Sequence, residues 1–127
     1  MNRNLKIFGG IFGMTAVIIG AFGAHALGDQ LSIESLRSFE TGVKYQMYHA
    51  ILMIILGFNA KANTKLYKFV FYMLVLGVFM FSGSIYLLAT NALTSFDFTS
   101  IALVTPLGGT LLILSWLLIL VSFWSKK

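Results

Sequence analysis

Charged residues interrupt this chain only at intervals, leaving uncharged apolar windows at Ile7–Gly28, Tyr45–Ala60, Phe69–Phe96 and Phe98–Ser125. An α-helix needs ~20 apolar residues to cross ~30 Å of hydrocarbon, so three of the windows suffice and the second is marginal. Lys44 lengthens that second span if its ammonium snorkels to the headgroups. The pattern predicts an all-α integral membrane protein, four transmembrane helices in a compact bundle, at about 7–27, 43–60, 68–91 and 105–124. Residues 1–127 then form one domain.

Between the first two spans the pattern changes. Ile33, Leu36, Phe39 and Val43 recur at helical spacing, with Glu34, Arg37 and Glu40 on other faces, and Ser32 is suited to cap such a helix. This predicts a short amphipathic helix lying on the outer surface, with Gly42 as the bend into the second span. In the last window Thr105 and Pro106 are a good cap and first helical residue, so a helix starting there, after a turn or short helix over 98–104, is preferred to one long kinked helix. The first window carries small residues at Gly9, Gly13, Ala16, Gly20, Gly23 and Ala24, which let another backbone approach. That ladder predicts the first helix to be the central one. Gly83, Gly108 and Gly109 are further close-packing candidates.

Charge sets the orientation. Arg3, Lys6, Lys61, Lys65, Lys68, Lys126 and Lys127 fall on one side of the predicted spans, and only Arg37 and Lys44 on the other. Positive-inside bias places both termini in the cytoplasm of a plasma-membrane (inner-membrane) protein. Tyr67, Tyr72 and Trp124 would mark the inner interface. The net charge of +5 is spread along membrane edges, which argues for lipid contact and against nucleic acid. Arg3 and Lys6 ahead of an apolar run ending Ala24-His25-Ala26 imitate a cleavable secretory signal, but the run is long and further spans follow, so retention as the first span is expected.

Polar side chains inside the windows are the candidate chemistry. His25, Tyr45, Gln46, His49, Ser82, Tyr86 and Thr105 are predicted to meet at one level in the outer leaflet. Each also has a plain structural reading: interface aromatics for the tyrosines, helix–helix or capping hydrogen bonds for Ser82 and Thr105, an interhelical clamp for Gln46 with His49. The absence of Cys removes thiolate metal sites and thiol chemistry, no carboxylate lies inside a window for proton-coupled transport, and no Ser–His–acid set shares one depth. No catalytic residue, metal site or cofactor is therefore expected. Haem held by His25 and His49, or a quinone at the cluster, is the alternative.

Four motifs in order, GAFGAHAL at Gly20–Leu27, FETGVKYQMYHA at Phe39–Ala50, FSGSIYLL at Phe81–Leu88 and TPLGG at Thr105–Gly109, resemble the YgdD/YwdK-like family of small bacterial membrane proteins, DUF423, related to the eukaryotic transmembrane protein 256 group. The resemblance implies a four-helix integral membrane protein and no particular activity. It singles out His25, Tyr45, Gln46, His49, Ser82, Gly83, Tyr86, Pro106, Gly108 and Gly109. The expected role is a non-enzymatic structural or interaction protein of the membrane, whose partners are the bilayer and a second copy or other membrane proteins. The rival is a protein that binds or transports a small ligand such as a lipid, quinone, haem or solute.

Overall fold

The computed structural model describes residues 1–59 and 64–124, which are helical with short connections and, among the described residues, no strand. Lys61, Lys126 and Lys127, part of the basic side inferred from sequence, lie outside them. Helix α1 spans Asn2–Ala26 and α2 spans Ile33–Phe58. A third rod follows, made of α3 (Lys65–Val78), a π-helical turn (Phe79–Gly83) and α4 (Ser84–Ala89). Two 3₁₀ turns, Asn91–Leu93 and Phe98–Ile101, lead to α5 (Val104–Trp124). Among the described residues, three helical stretches, Asn2–Ala26, Lys65–Ala89 and Phe98–Trp124, are long and apolar enough to cross a membrane by length and composition.

α2 differs from its sequence expectation. Ser32 caps it, its hydroxyl accepting from the Ser35 N–H at 3.1 Å, but the helix then runs 26 residues without interruption. The amphipathic segment is thus the first half of α2, standing along the bundle instead of lying across its end. At 1.5 Å per residue α2 is about 39 Å long. Gly42 is a point of contact, not a bend: a Cβ there would meet Tyr86 Cε1 at 2.8 Å and Ile85 Cγ2 at 3.1 Å. Within the apolar stripe, Phe39 is buried and packed on Tyr86 at a ring distance of 5.1 Å, and Leu36 and Val43 are half-buried, while Ile33 at the start of the helix stays exposed.

α2 and the third rod form the centre, with α1 flanking α2 and α5 flanking the third rod. The expectation that α1 is central is therefore corrected: 50% of the apolar window of Lys65–Ala89 is buried, against 22% for α1. The small-residue ladder of α1 still has a use, because it seats α2. A Cβ on Gly9 would meet Ala50 O at 2.8 Å, and Gly23 lies directly on the Phe39 ring. Gly13 and Gly20 face Ala50 and Val43 with more room. From the other side Gly57 of α2 admits Lys6, whose ammonium sits 4.8 Å from the Phe58 ring centroid. The core between the rods is closed by Leu5, Met53, Val70 and Leu74, all essentially inaccessible.

The exterior is the inverse of a water-soluble protein's. Ile11, Met14, Val17, Ile18 and Phe22 of α1, and Ile113, Leu117, Leu120 and Trp124 of α5, are exposed. An apolar sheath of this extent calls for a lipid surround. Tyr72 and Trp124 belong to this exposed set. Tyr67, expected beside them, is instead buried, its hydroxyl 3.3 Å from Ser122 Oγ and 3.5 Å from Asn59 Nδ2.

The start of α5 depends on the third rod. The helix begins at Val104, so Thr105 and Pro106 lie in its first turn and Thr105 does not cap it. Pro106 is tolerated there because the N–H it lacks would have no helical acceptor. Gly108 rests on the backbone of Phe81 and Met80, and Gly109 makes ordinary contact with the Phe81 ring. The π turn and α5 therefore touch main chain to main chain.

Candidate functional site

The polar residues of the windows assemble in two groups on opposite sides of the central pair, and His25 joins neither. In the first group Gln46 is the hub. Its amide nitrogen donates to the Phe12 carbonyl at 2.9 Å and to Thr15 Oγ1 at 2.8 Å, and its Oε1 accepts the Tyr86 hydroxyl at 2.8 Å. Both amide protons are thereby used. The Thr15 hydroxyl donates back to the Ile11 carbonyl at 2.8 Å, and Ser82 donates to the Gly42 carbonyl at 2.7 Å. α1, α2 and the third rod are tied together by side chains with no proton left over.

The second group joins α2 to α5. Trp116 Nε1 donates to His49 Nε2 at 3.1 Å, while His49 Nδ1 lies 2.6 Å from the Tyr45 carbonyl. A carbonyl cannot donate, so Nδ1 carries the proton and Nε2 is the acceptor; the ring is a neutral imidazole in one defined tautomer. Tyr45 covers it, stacked at 6.2 Å on His49 and 5.0 Å from Phe81. Above this, Ser84 Oγ donates to the Phe81 carbonyl at 3.0 Å and meets Thr105 Oγ1. With the Ser84 proton so placed, Thr105 must be the donor between the two hydroxyls.

These placements correct the predicted geometry. His25 is exposed in the last turn of α1, away from the buried His49. Haem ligation by the pair has no geometric basis, since both nitrogens of His49 are already engaged. Tyr86 is a buried-network donor and not an interface aromatic. Gly83 is no packing residue, for nothing lies within 4 Å of its would-be Cβ. The level of the groups is also shifted. Thr15 sits ~20 Å from the start of α1 and ~17 Å from its end at 1.5 Å per residue, and Trp116 lies at similar mid-height in α5, so the network is central and not confined to the outer end.

The groups missed from sequence are Thr15, the Phe12 carbonyl and Trp116. Thr15 and Trp116 are the polar side chains inside otherwise apolar helices that Gln46 and His49 require as partners, and that need was the available signal. Among the described residues no three His, Asp or Glu side chains gather as a metal site would require.

Beside the Gln46 hub a groove of about 290 Å³ opens laterally between α1 and the third rod. Ile11 and Ile19 form one wall, Phe79 and Tyr86 the other, with Thr15 and Gln46 at the base and Gly83 as the gap in its side. Its walls are almost wholly apolar.

The family model described as "Protein of unknown function (DUF423)" matches residues 19–109. Among curated proteins, a UPF0382 membrane protein of Staphylococcus haemolyticus is 37% identical over 91% of both chains. UPF0382 membrane protein YwdK of Bacillus subtilis is 34% identical over 91% of this chain and 92% of its own. UPF0382 inner membrane protein YgdD of Escherichia coli is 34% identical over 94% of this chain and 88% of its own. No solved structure matches the chain significantly.

Proposed function

This chain belongs to the DUF423 family of membrane proteins, and on that premise we propose that it is a non-catalytic, four-span protein of the plasma membrane that acts by packing and interaction within the bilayer. One observation carries the reading: the polar side chains of the interior are hydrogen-bonded within the protein, to one another or to main-chain carbonyls, while the exterior is an apolar sheath. Among the described residues Asn2 Oδ1 is the one buried side-chain polar atom without a partner, and it lies at the end of the bundle. A catalytic centre needs a nucleophile or base able to reach a substrate; here those groups hold helices together.

The fourth span is α2. By composition it is the least apolar, but Gln46 and His49 meet protein on every polar atom and present no unpaired group to hydrocarbon. Arg3, Lys6, Lys65 and Lys68 gather at one end of the bundle, and Asp29, Glu34, Glu40 and Asp97 at the other. That distribution supports cytoplasmic termini under the positive-inside rule. The sheath on α1 and α5 supports partners in the membrane, a second copy or another membrane protein.

Cysteine scanning tests the topology, since the native chain has no Cys to interfere. Thr94→Cys should react with a membrane-impermeant maleimide in intact cells, and Thr64→Cys only after permeabilisation. The reverse pattern overturns the orientation. Cross-linking in native membranes tests the role: a chain recovered solely as a monomer, with no co-purifying partner, contradicts it.

A further inference from the structure

We propose that the groove between α1 and the third rod is a binding site for one hydrocarbon chain of a membrane lipid. The proposal rests on the helices being immersed in lipid, as argued above, and goes beyond it by naming what occupies one place on their surface.

Three features select the occupant. The first is shape and direction. Ile11 to Ile19 along α1, and Phe79 to Tyr86 along the third rod, each span ~11–12 Å at 1.5 Å per residue, so the groove runs parallel to the helices, as lipid chains do. The second is position. The groove lies at mid-height, beside Thr15 and Gln46, where the surrounding solvent is chain and not headgroup. The third is donor inventory. Both Gln46 amide protons, the Thr15 hydroxyl proton and the Tyr86 hydroxyl proton are used within the protein. No N–H or O–H remains at the base to hold a carbonyl, so a quinone head finds no anchor there, whereas a hydrocarbon needs none.

The groove also has a structural cause. The π turn at Phe79–Gly83 displaces successive side chains, and it ends on a residue with no side chain at all. Because nothing lies within 4 Å of a Cβ at Gly83, a larger residue would enter the groove without disturbing the packing of the rods. Gly10 of α1 is equally open but faces away from the groove, toward bulk lipid. The pair supplies a blocking variant and a matched control.

The test uses full-length protein reconstituted in phosphatidylcholine bilayers containing a lipid with a diazirine at mid-chain, photolysed and mapped by mass spectrometry. Adducts should concentrate on Ile11, Ile19 and Phe79, relative to Val17 and Ile113 on the open faces. Gly83→Leu should reduce the groove adducts about tenfold, the effect of a side chain overfilling a fitted site, while Gly10→Leu leaves them unchanged. Labelling spread evenly over α1 and α5, or groove labelling indifferent to Gly83→Leu, overturns the proposal. An alkaline wash that strips the chain from the bilayer overturns the spanning reading itself; a chain that resists the wash yet labels evenly overturns the groove alone.

Discussion

Trp116 of α5 donates its indole proton to His49 of α2 across 3.1 Å, and that single bond determines where the imidazole keeps its own proton. Nδ1 must hold it, because the group facing Nδ1 is the carbonyl of Tyr45. A histidine in such a setting is a two-ended connector, joining its own helix to a neighbour with which α2 has few other contacts.

Removing either end should expose this coupling. His49→Ala leaves the Trp116 N–H without an acceptor, and should lower stability in detergent by ~1–3 kcal/mol. Trp116→Phe should cost less by way of hydrogen bonding, because the Nε2 lone pair is left vacant but no proton is stranded. The double variant should recover ~0.5–1.5 kcal/mol relative to additivity. Strictly additive losses in a thermal-unfolding cycle would show that the bond contributes nothing.

Gln46 is expected to be the more costly position. Tyr86→Phe deletes one donor to its Oε1 and should cost ~0.6–1.5 kcal/mol, the range for an interhelical bond in a membrane protein. Gln46→Leu removes the hub and strands the Tyr86 hydroxyl, so its loss should exceed that of Tyr86→Phe. Equal midpoints for the two variants in a denaturation series would mean that Gln46 does not organise the network.

Glycines at Gly108 and Gly83 should respond in opposite directions. A Cβ at Gly108 meets the Phe81 backbone, and backbone cannot step aside as a flexible side chain can. Gly108→Ala should therefore cost ~1–3 kcal/mol through forced separation of α5 from the π turn. Gly83→Ala meets open space and should be neutral, or stabilising by ~0.5–1 kcal/mol through reduced backbone freedom of the unfolded chain. Thermal midpoints of the two purified variants decide the matter.

Asp97 should make the α4–α5 connection sensitive to acid. The Thr99 backbone N–H, then the Thr99 hydroxyl and the Asn91 amide, hold its carboxyl below the usual aspartate range. A depressed value in the folded chain means that the stabilisation is complete above the unfolded aspartate value and is lost as pH falls through the folded one. Amide exchange at Thr99, whose N–H lies 3.0 Å from Asp97 Oδ1, should accelerate over that acidic window beyond its intrinsic pH trend. Asp97→Asn should remove the excess; an unchanged profile in that variant would assign the effect elsewhere.

Periodicity and charge placement carried much of the architecture, and their failures are instructive. The stripe Ile33, Leu36, Phe39, Val43 indicates a helix with one apolar face, but a stripe does not specify whether lipid, water interface or another helix covers it. Here Gly23 and Tyr86 cover Phe39, and the segment stands upright. Gly42 and the Gly9–Gly23 ladder show the same limit: small residues announce a close approach without saying which helix arrives. Gln46 and His49 were legible because buried polar atoms demand partners. Their partners were not, since a carbonyl at Phe12 has no sequence signature and Trp116 reads as one more apolar residue in a long window. The π turn has none either, being a matter of which hydrogen bonds close.

That turn has a consequence for how the chain tolerates change. A π-helical turn accommodates one more residue than an ordinary α-turn would, and each residue advances a helix by ~100°. Deleting a single position among Phe79–Gly83 restores regular winding and leaves Val78 and Phe71 on one side and Ser84 and Tyr86 on the other in phase. Deleting one from α3 or α4 instead swings one half of the rod by ~100° against its neighbours. The turn works like a leap day, absorbing a surplus so that both halves of the rod stay in step with their surroundings, and loss of one residue there should do less harm than loss of one from the regular winding on either side.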